Sequence, residues 1–182
     1  MKCPSTVSTT LLLEAVQYYS ELGYQLIDVP QCVDFDVSQH TKPEGLPELF
    51  HRGMKVYVAS AEQSFLQLHK EGKLPNGKYM ALTPCYRHEA TLDDTHYSLF
   101  LKLELVVVGE SCSYNVMHDC LGFFKPKIKE ETYFIVTDEG IDTYDIMCDD
   151  VEIGSYGVRY TLDGTPYTYG TGIAEPRFSS LL

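Results

Sequence analysis

The spacing of hydrophobic positions changes several times along the chain, and each change marks an element. From Thr9 to Leu22, Leu12, Ala15, Val16, Tyr19 and Leu22 recur at helical spacing, and Gly23 stands where a helix would stop. Tyr24 to Val29 predicts a strand ending at Pro30. Gln31 to Met54 mixes polarities around Pro43 and Pro47, which predicts an irregular, partly mobile segment. Lys55 to Ala59 predicts a short strand. Ser60 then predicts the cap of a helix carrying Phe65, Leu66 and Leu68, with Glu62 in its first turn. That helix runs toward Leu74–Pro75, and a strand resumes from Tyr79 to Cys85.

Period-two patterning is strongest between Thr83 and Leu105. Leu99, Leu101, Leu103 and Leu105 fall on one face; His96, Ser98, Phe100, Lys102 and Glu104 fall on the other. Ahead of them Thr83, Cys85, Arg87 and Glu89 share a face. The polar run from Ala90 to Thr95, with Asp93 and Asp94, can close an antiparallel hairpin. If the two polar faces coincide, a guanidinium, two carboxylates, an ammonium, an imidazole and a phenyl ring converge on one patch of sheet. Arg-x-Glu on the solvent side of an ordinary sheet is a surface pair worth under ~1 kcal/mol, so the order of residues carries more information than the pair. Beyond the hairpin, Leu105 to Val108 completes a buried strand. Ser111 to Phe124 predicts a helix with Val116, Cys120, Phe123 and Phe124 as its apolar stripe. Thr132 to Val136 and Thr143 to Met147 predict strands.

Length and composition narrow the class. A chain of 182 residues with 44% hydrophobic content makes one domain, residues 1–182, with a sizeable core. A net charge of −12 sets aside a broad, non-specific nucleic-acid surface. The basic cluster Lys125 to Lys129 reads as a solvated loop. Cys3, Cys32, Cys85, Cys112, Cys120 and Cys148 form neither a C-x-x-C pair nor a zinc spacing. With no secretory leader and no run of membrane-spanning length, the expectation is a cytoplasmic protein with free thiols and no membrane partner.

The motifs add a family resemblance. Tyr86-Arg87-His88-Glu89, a loop, and His96-x-x-x-Phe100 resemble motif 2 of the class II aminoacyl-tRNA synthetases. Thr83-Pro84-Cys85 and Phe100-x-Lys102-x-Glu104 are most similar to the seryl-tRNA synthetase version. The Thr9–Pro30 unit resembles motif 1, which builds the dimer interface in that family. Ser60-Ala61-Glu62 resembles its Thr-x-Glu motif. Glu152-x-x-Ser155 resembles the segment in which a Glu helps hold Mg²⁺ and the ATP phosphates. Gly170-x-Gly172-x-Ala174-x-x-Arg177 resembles motif 3. One such match is weak; together, in the family's order from Thr9 to Arg177, they are strong.

The resemblance implies an α+β fold, an antiparallel sheet of about six strands flanked by helices. It implies a homodimer and an ATP- and Mg²⁺-dependent ligase that joins an amino acid to AMP. Arg87 would bridge the substrate carboxylate and the α-phosphate. Phe100 would stack on adenine, and Glu89 would accept from its amino group. His96 would lie near the β- and γ-phosphates. Arg177 would face the γ-phosphate or the free face of adenine, giving it and Arg87 the catalytic roles. Glu152 would ligate Mg²⁺ with Ser155 beside it, and Gly170 and Gly172 would let the nucleotide approach the backbone. Ser60 and Glu62 would hold the amino acid's ammonium, with Glu104 as a second contact. Tyr167 replaces a Thr that helps read the serine side chain, so the pocket is reshaped. The family's tRNA-gripping arm has no counterpart here, which leaves tRNA, a carrier protein or a small molecule as acceptor. Two other functions share the core. One is an asparagine-synthetase-like enzyme using aspartyl-adenylate, with Lys102 and Arg159 as candidate donors to a side-chain carboxylate. The other is a non-catalytic paralogue that senses an amino acid or nucleotide, or regulates a partner.

Overall fold

The computed structural model describes residues 2–42, 47–88, 97–129, 134–140 and 142–182. Helix α1 (Thr9–Glu21) starts where the Ser8 hydroxyl accepts from the Leu11 amide and stops at Leu22. Gly23 follows with φ 89°, a left-handed conformation open to glycine without strain. Strand β1 (Gln25–Leu26) leads to a small antiparallel pair, β2 (Cys32–Asp34) with β3 (Lys55–Tyr57), and helix α2 (Phe35–Thr41) lies between those two strands in sequence. Helix α3 (Ala61–Lys70) and the hairpin strands β4 (Gly77–Tyr86) and β5 (Leu99–Val108) come next. Helix α4 (Ser113–Phe124) precedes strands β6 (Phe134–Gly140), β7 (Thr143–Cys148), β8 (Val151–Tyr160) and β9 (Pro166–Glu175).

The main sheet has the order β1-β4-β5-β9-β8-β7-β6. From β4 to β6 every neighbouring pair is antiparallel; only β1 is parallel to its neighbour. Helices α1 and α4 cover one face, with Leu12, Tyr19, Met117, Cys120 and Phe124 packed on Leu103, Leu105, Ile146, Tyr156 and Ile173. On the other face α3 and the small sheet cover Tyr79, Ala81, Val106 and Val108 with Val33, Val56, Phe65 and Leu66. Two-sided cover explains the unbroken apolar run Leu105 to Val108, which an open antiparallel sheet would interrupt with polar residues.

Several expectations change. The strand predicted from Tyr24 to Val29 contracts to Gln25–Leu26, because it sits at a sheet edge and pairs only with Tyr79 and Met80. Gln31 to Met54 is not wholly irregular: Val33 and Val37 are fully buried and fasten β2 and α2 beneath the α3 side of the sheet. The strand predicted at Thr132 to Val136 lies at Phe134–Gly140. The Lys125 to Lys129 cluster is not simply solvated, since Lys125–Lys127 form a 3₁₀ turn and Lys127 pairs with Glu14 at 2.5 Å while lying over the Phe123 ring. All six cysteines are free thiols, and no helix among the described residues is long and apolar enough to cross a membrane.

Gly170 and Gly172 are the sharpest correction. Both turn toward the α1–α4 side. A Cβ at Gly170 would lie 2.7 Å from Tyr156 and from Val116, and one at Gly172 would lie 3.0 Å from the Leu103 carbonyl and 3.1 Å from the Tyr19 ring. Their smallness makes room for core tyrosines rather than for a nucleotide. Tyr19 then donates its hydroxyl to the Gly172 carbonyl at 2.8 Å, and Tyr156 to the Thr171 carbonyl at 2.9 Å. Gly170→Ala should destabilise the fold by about 1–3 kcal/mol, the usual cost of overpacking a filled core. Urea unfolding of the purified variant measures this, and an unchanged midpoint would show that the core yields freely at that point.

Candidate active site

Directly paired residues of antiparallel strands point to the same side of the sheet. Cys85 pairs with Phe100, Thr83 with Lys102 and Ala81 with Glu104. On the next strand Glu104 pairs with Thr171, and further along Arg159 pairs with Tyr167 and Gly157 with Tyr169. The register therefore collects Phe100, Lys102, Glu104, Thr171, Tyr169, Tyr167 and Arg159 on the face opposite α1 and α4. Helix α3 borders this patch, and the turn after β9 borders it at the other end.

Arg87 lies just past β4. Its amide donates to the Ser98 carbonyl at 2.9 Å, and its Nε donates to the Ala59 carbonyl at 3.2 Å. The guanidinium sits 5.0 Å from the Phe100 ring centroid, a cation–π contact. The two motif 2 residues expected to work together are thus adjacent. Glu89 and His96 lie outside the described residues.

A charge cluster forms beside α3. The Ser60 hydroxyl accepts from the Glu62 amide at 3.2 Å, so Ser60 acts as the helix cap. Glu62 is 6% exposed, and its carboxylate accepts from Arg159 Nη1 at 2.9 and 2.8 Å and from the Tyr167 hydroxyl at 2.8 Å. The Arg159 guanidinium also lies 4.3 Å from the Tyr169 ring centroid. The Tyr169 ring in turn occupies the space over Gly157, where a Cβ would meet its hydroxyl at 2.5 Å. Burial opposes the charge on Arg159, but Glu62 together with the Tyr169 and Tyr167 phenols outweighs it, and the guanidinium is held more firmly protonated than usual. Burial, reinforced by Glu62, pushes the Tyr167 phenol far above its ordinary range. Tyr167 stands in this cluster as a buried donor to Glu62. Behind it a cleft of about 10 Å³ between α3 and the sheet has room for about one water.

Deeper in the sheet, Lys102 Nζ lies 2.9 Å from both oxygens of Glu104 and is hydrogen-bonded to Oε1. Glu104 is 1% exposed, and burial raises its pKa despite the opposing pull of Lys102. Its Oε2 and the Thr83 hydroxyl are buried without a hydrogen-bond partner. The polar face of β5 is therefore interior at this level. At the β9 end, Arg177 Nη1 donates to the Glu152 carbonyl at 3.2 Å and lies 3.9 Å from its carboxylate. The Ser155 amide donates to the Thr171 hydroxyl at 3.4 Å. Glu152 and Arg177 are thus brought together, while Ser155 bonds to Thr171 on the neighbouring strand.

Thr171 escaped the sequence reading. Its register partner Glu104, visible only once the strands are paired, puts it on the site face. Glu175 also escaped it: fully buried, it accepts from the Ser8 amide at 3.1 Å and from the Ser179 amide at 3.0 Å, fastening the start of α1 to the end of β9.

Residues 58–140 match the family model described as tRNA synthetases class II core domain (F). A pyrrolysyl tRNA synthetase structure from Desulfitobacterium hafniense aligns with TM-score 0.74 at 14% identity, covering 93% of this chain and 64% of that one. Another structure of pyrrolysyl-tRNA synthetase from that organism gives 0.70 at 16%, covering 93% and 67%. Seryl-tRNA synthetase from Pyrococcus horikoshii complexed with ATP gives 0.74 at 18%, covering 94% and 49%. The chain thus spans between about half and two thirds of the length of these structures. No curated protein matches the sequence. The fold is the class II aminoacyl-tRNA synthetase core.

Tyr167→Phe keeps the ring and removes the donor to Glu62. A hydrogen bond to a charged group contributes about 1.5–3 kcal/mol, so urea unfolding should show a loss of that size. A wild-type midpoint would show that water replaces the hydroxyl at no cost.

Proposed function

We propose that the chain activates the carboxylate of an amino acid with ATP, forming an aminoacyl-adenylate and pyrophosphate. The observation that carries this reading is the placement of Arg87 against Phe100 on the open part of the sheet face. The Glu152–Arg177 group stands on the same face, beyond β9. Phe100 offers a flat apolar surface to adenine. Arg87, released from its ring contact by the incoming base, meets the substrate carboxylate and the α-phosphate. Glu89 accepts from the adenine amino group, and His96 and Arg177 hold the distal phosphates.

In the step itself a carboxylate oxygen attacks the α-phosphorus, the bond from that phosphorus to the β-phosphate oxygen breaks, and pyrophosphate leaves with the electron pair. No protein nucleophile is needed. The work is positioning and the neutralisation of charge that grows at the α-phosphoryl oxygens. Arg87, with a guanidinium that stays charged at every physiological pH, is suited to it. Glu152 suits Mg²⁺: its carboxylate is half-exposed on the site face, and that ion is usually held by one or two carboxylates together with substrate phosphates. The ion supplies charge neutralisation on the phosphates when bound. Glu62 receives the α-ammonium, with Glu104 as the deeper acid.

The α1–β1 unit is proposed to pair two copies about a two-fold axis. Leu13, Leu26 and Leu82 are 64%, 53% and 39% exposed on or next to it. Light scattering at micromolar concentration should report a dimer, and a monomer would count against this arrangement.

Arg87→Ala separates binding from chemistry. Loss of one preorganised donor to developing charge costs about 10²–10³ in rate. Amino-acid-dependent pyrophosphate exchange should fall by at least that factor, while ATP affinity, read by calorimetry, falls much less. Exchange near the wild-type rate would remove Arg87 from the reacting centre.

A further inference from the structure

The Glu62–Arg159 pair is unexplained by a simple ammonium-binding role for Glu62. The carboxylate already holds a guanidinium at 2.8 and 2.9 Å and the Tyr167 hydroxyl at 2.8 Å. An incoming α-ammonium must either displace Arg159 or crowd a second cation against it. Arg159 is kept close by the Tyr169 ring, 4.3 Å from its guanidinium carbon. Once displaced from Glu62, it is left beside the new ammonium without that carboxylate. Like charges a few ångströms apart in a partly desolvated site oppose each other strongly.

A ligand that carries both charges restores the balance directly: a cation for Glu62 and an anion for Arg159. The substrate's α-carboxylate is already assigned to Arg87 and the α-phosphate. Lys102, the neighbouring cation on β5, is matched by Glu104 and does not need the anion. The required anion is a second one, on the substrate's side chain.

We propose that the substrate is an amino acid with an acidic side chain, which inserts into the Glu62–Arg159 pair. Its α-ammonium replaces Arg159 on Glu62, and its side-chain carboxylate replaces Glu62 on Arg159. The planar guanidinium fork, already held against Tyr169, binds carboxylates in two parallel hydrogen bonds. A neutral amino acid opens the same pair without restoring it. Arg159 is thereby the specificity-determining residue. This inference rests on the amino-acid-activating reading above.

The test is pyrophosphate exchange with L-aspartate, L-glutamate and L-serine, with ATP binding measured separately by calorimetry. One of the acidic amino acids should support exchange about 10–100-fold better than serine, the factor expected for a charged hydrogen-bonded contact. Arg159→Gln should abolish that preference. Arg159→Lys, which keeps the charge, should retain part of it and guards against a folding defect in the glutamine variant. Serine equal to or better than both acids overturns the proposal, as does a preference that survives Arg159→Gln. ATP binding with no exchange by either acid also overturns it while leaving the nucleotide site intact. Absence of ATP binding overturns the activating reading underneath, and the substrate proposal with it.

Discussion

A polar side chain on a strand covered from both sides cannot reach water, and this constraint shapes the site. Strand β5 is the place where it applies most strongly. Leu103 and Leu105 face the α1–α4 layer, and Val106 and Val108 face α3. Lys102 and Glu104 project from the α3-side face between Phe100 and Val106, and both are nearly inaccessible. Each supplies the other's counter-charge. Glu62, buried in the first turn of α3, is matched by Arg159 from two strands further across the sheet. Removing one member of such a pair strands a charge in a poorly solvated setting, which typically costs several times more than an exposed ion pair contributes. The site face is therefore organised as matched pairs.

The same constraint separates the parts of the molecule by their freedom to change. The tyrosines at Tyr19 and Tyr156 occupy the spaces left by Gly170 and Gly172 and anchor their hydroxyls on the β9 backbone. Those contacts hold β9 at a fixed height over α1 and α4, and Glu175 fastens its far end to Ser8 and Ser179. Strand β9 thus presents Tyr167, Tyr169 and Thr171 to the opposite face from a rigid support. Arg87 and Arg177, by contrast, sit beyond strand ends, Arg87 against the Phe100 ring and Arg177 beside Glu152. A rigid support on one face and arginines at the strand ends on the other is the arrangement on which the proposed positioning role rests.

Much of this was legible in the sequence, for identifiable reasons. Helix α1, the Ser60 cap and the β4–β5 hairpin follow from spacing and capping chemistry, which are local. Arg87 with Phe100, and Glu152 with Arg177, were expected together from the order of the motifs, and they are together. The misreadings all concern which way a residue faces or what covers it. Gly170 and Gly172 looked like a nucleotide approach because a small-residue run says nothing about its side of the sheet. Gln31 to Met54 looked irregular because β2 and α2 are too short to show a period; burial of Val33 and Val37 against α3 decides their structure. Arg159 stood out only as a candidate donor, since its pairing with Glu62 spans 97 positions.

The central claim is that the site directs chemistry to the α-phosphate of ATP. The most direct measurement is the fate of the nucleotide when purified protein is given ATP, Mg²⁺, a mixture of amino acids and hydroxylamine, which traps activated carboxylates. The account predicts AMP and pyrophosphate together with an equal amount of amino acid hydroxamate. ADP and inorganic phosphate as the products, or hydroxamate formed without AMP, would contradict it.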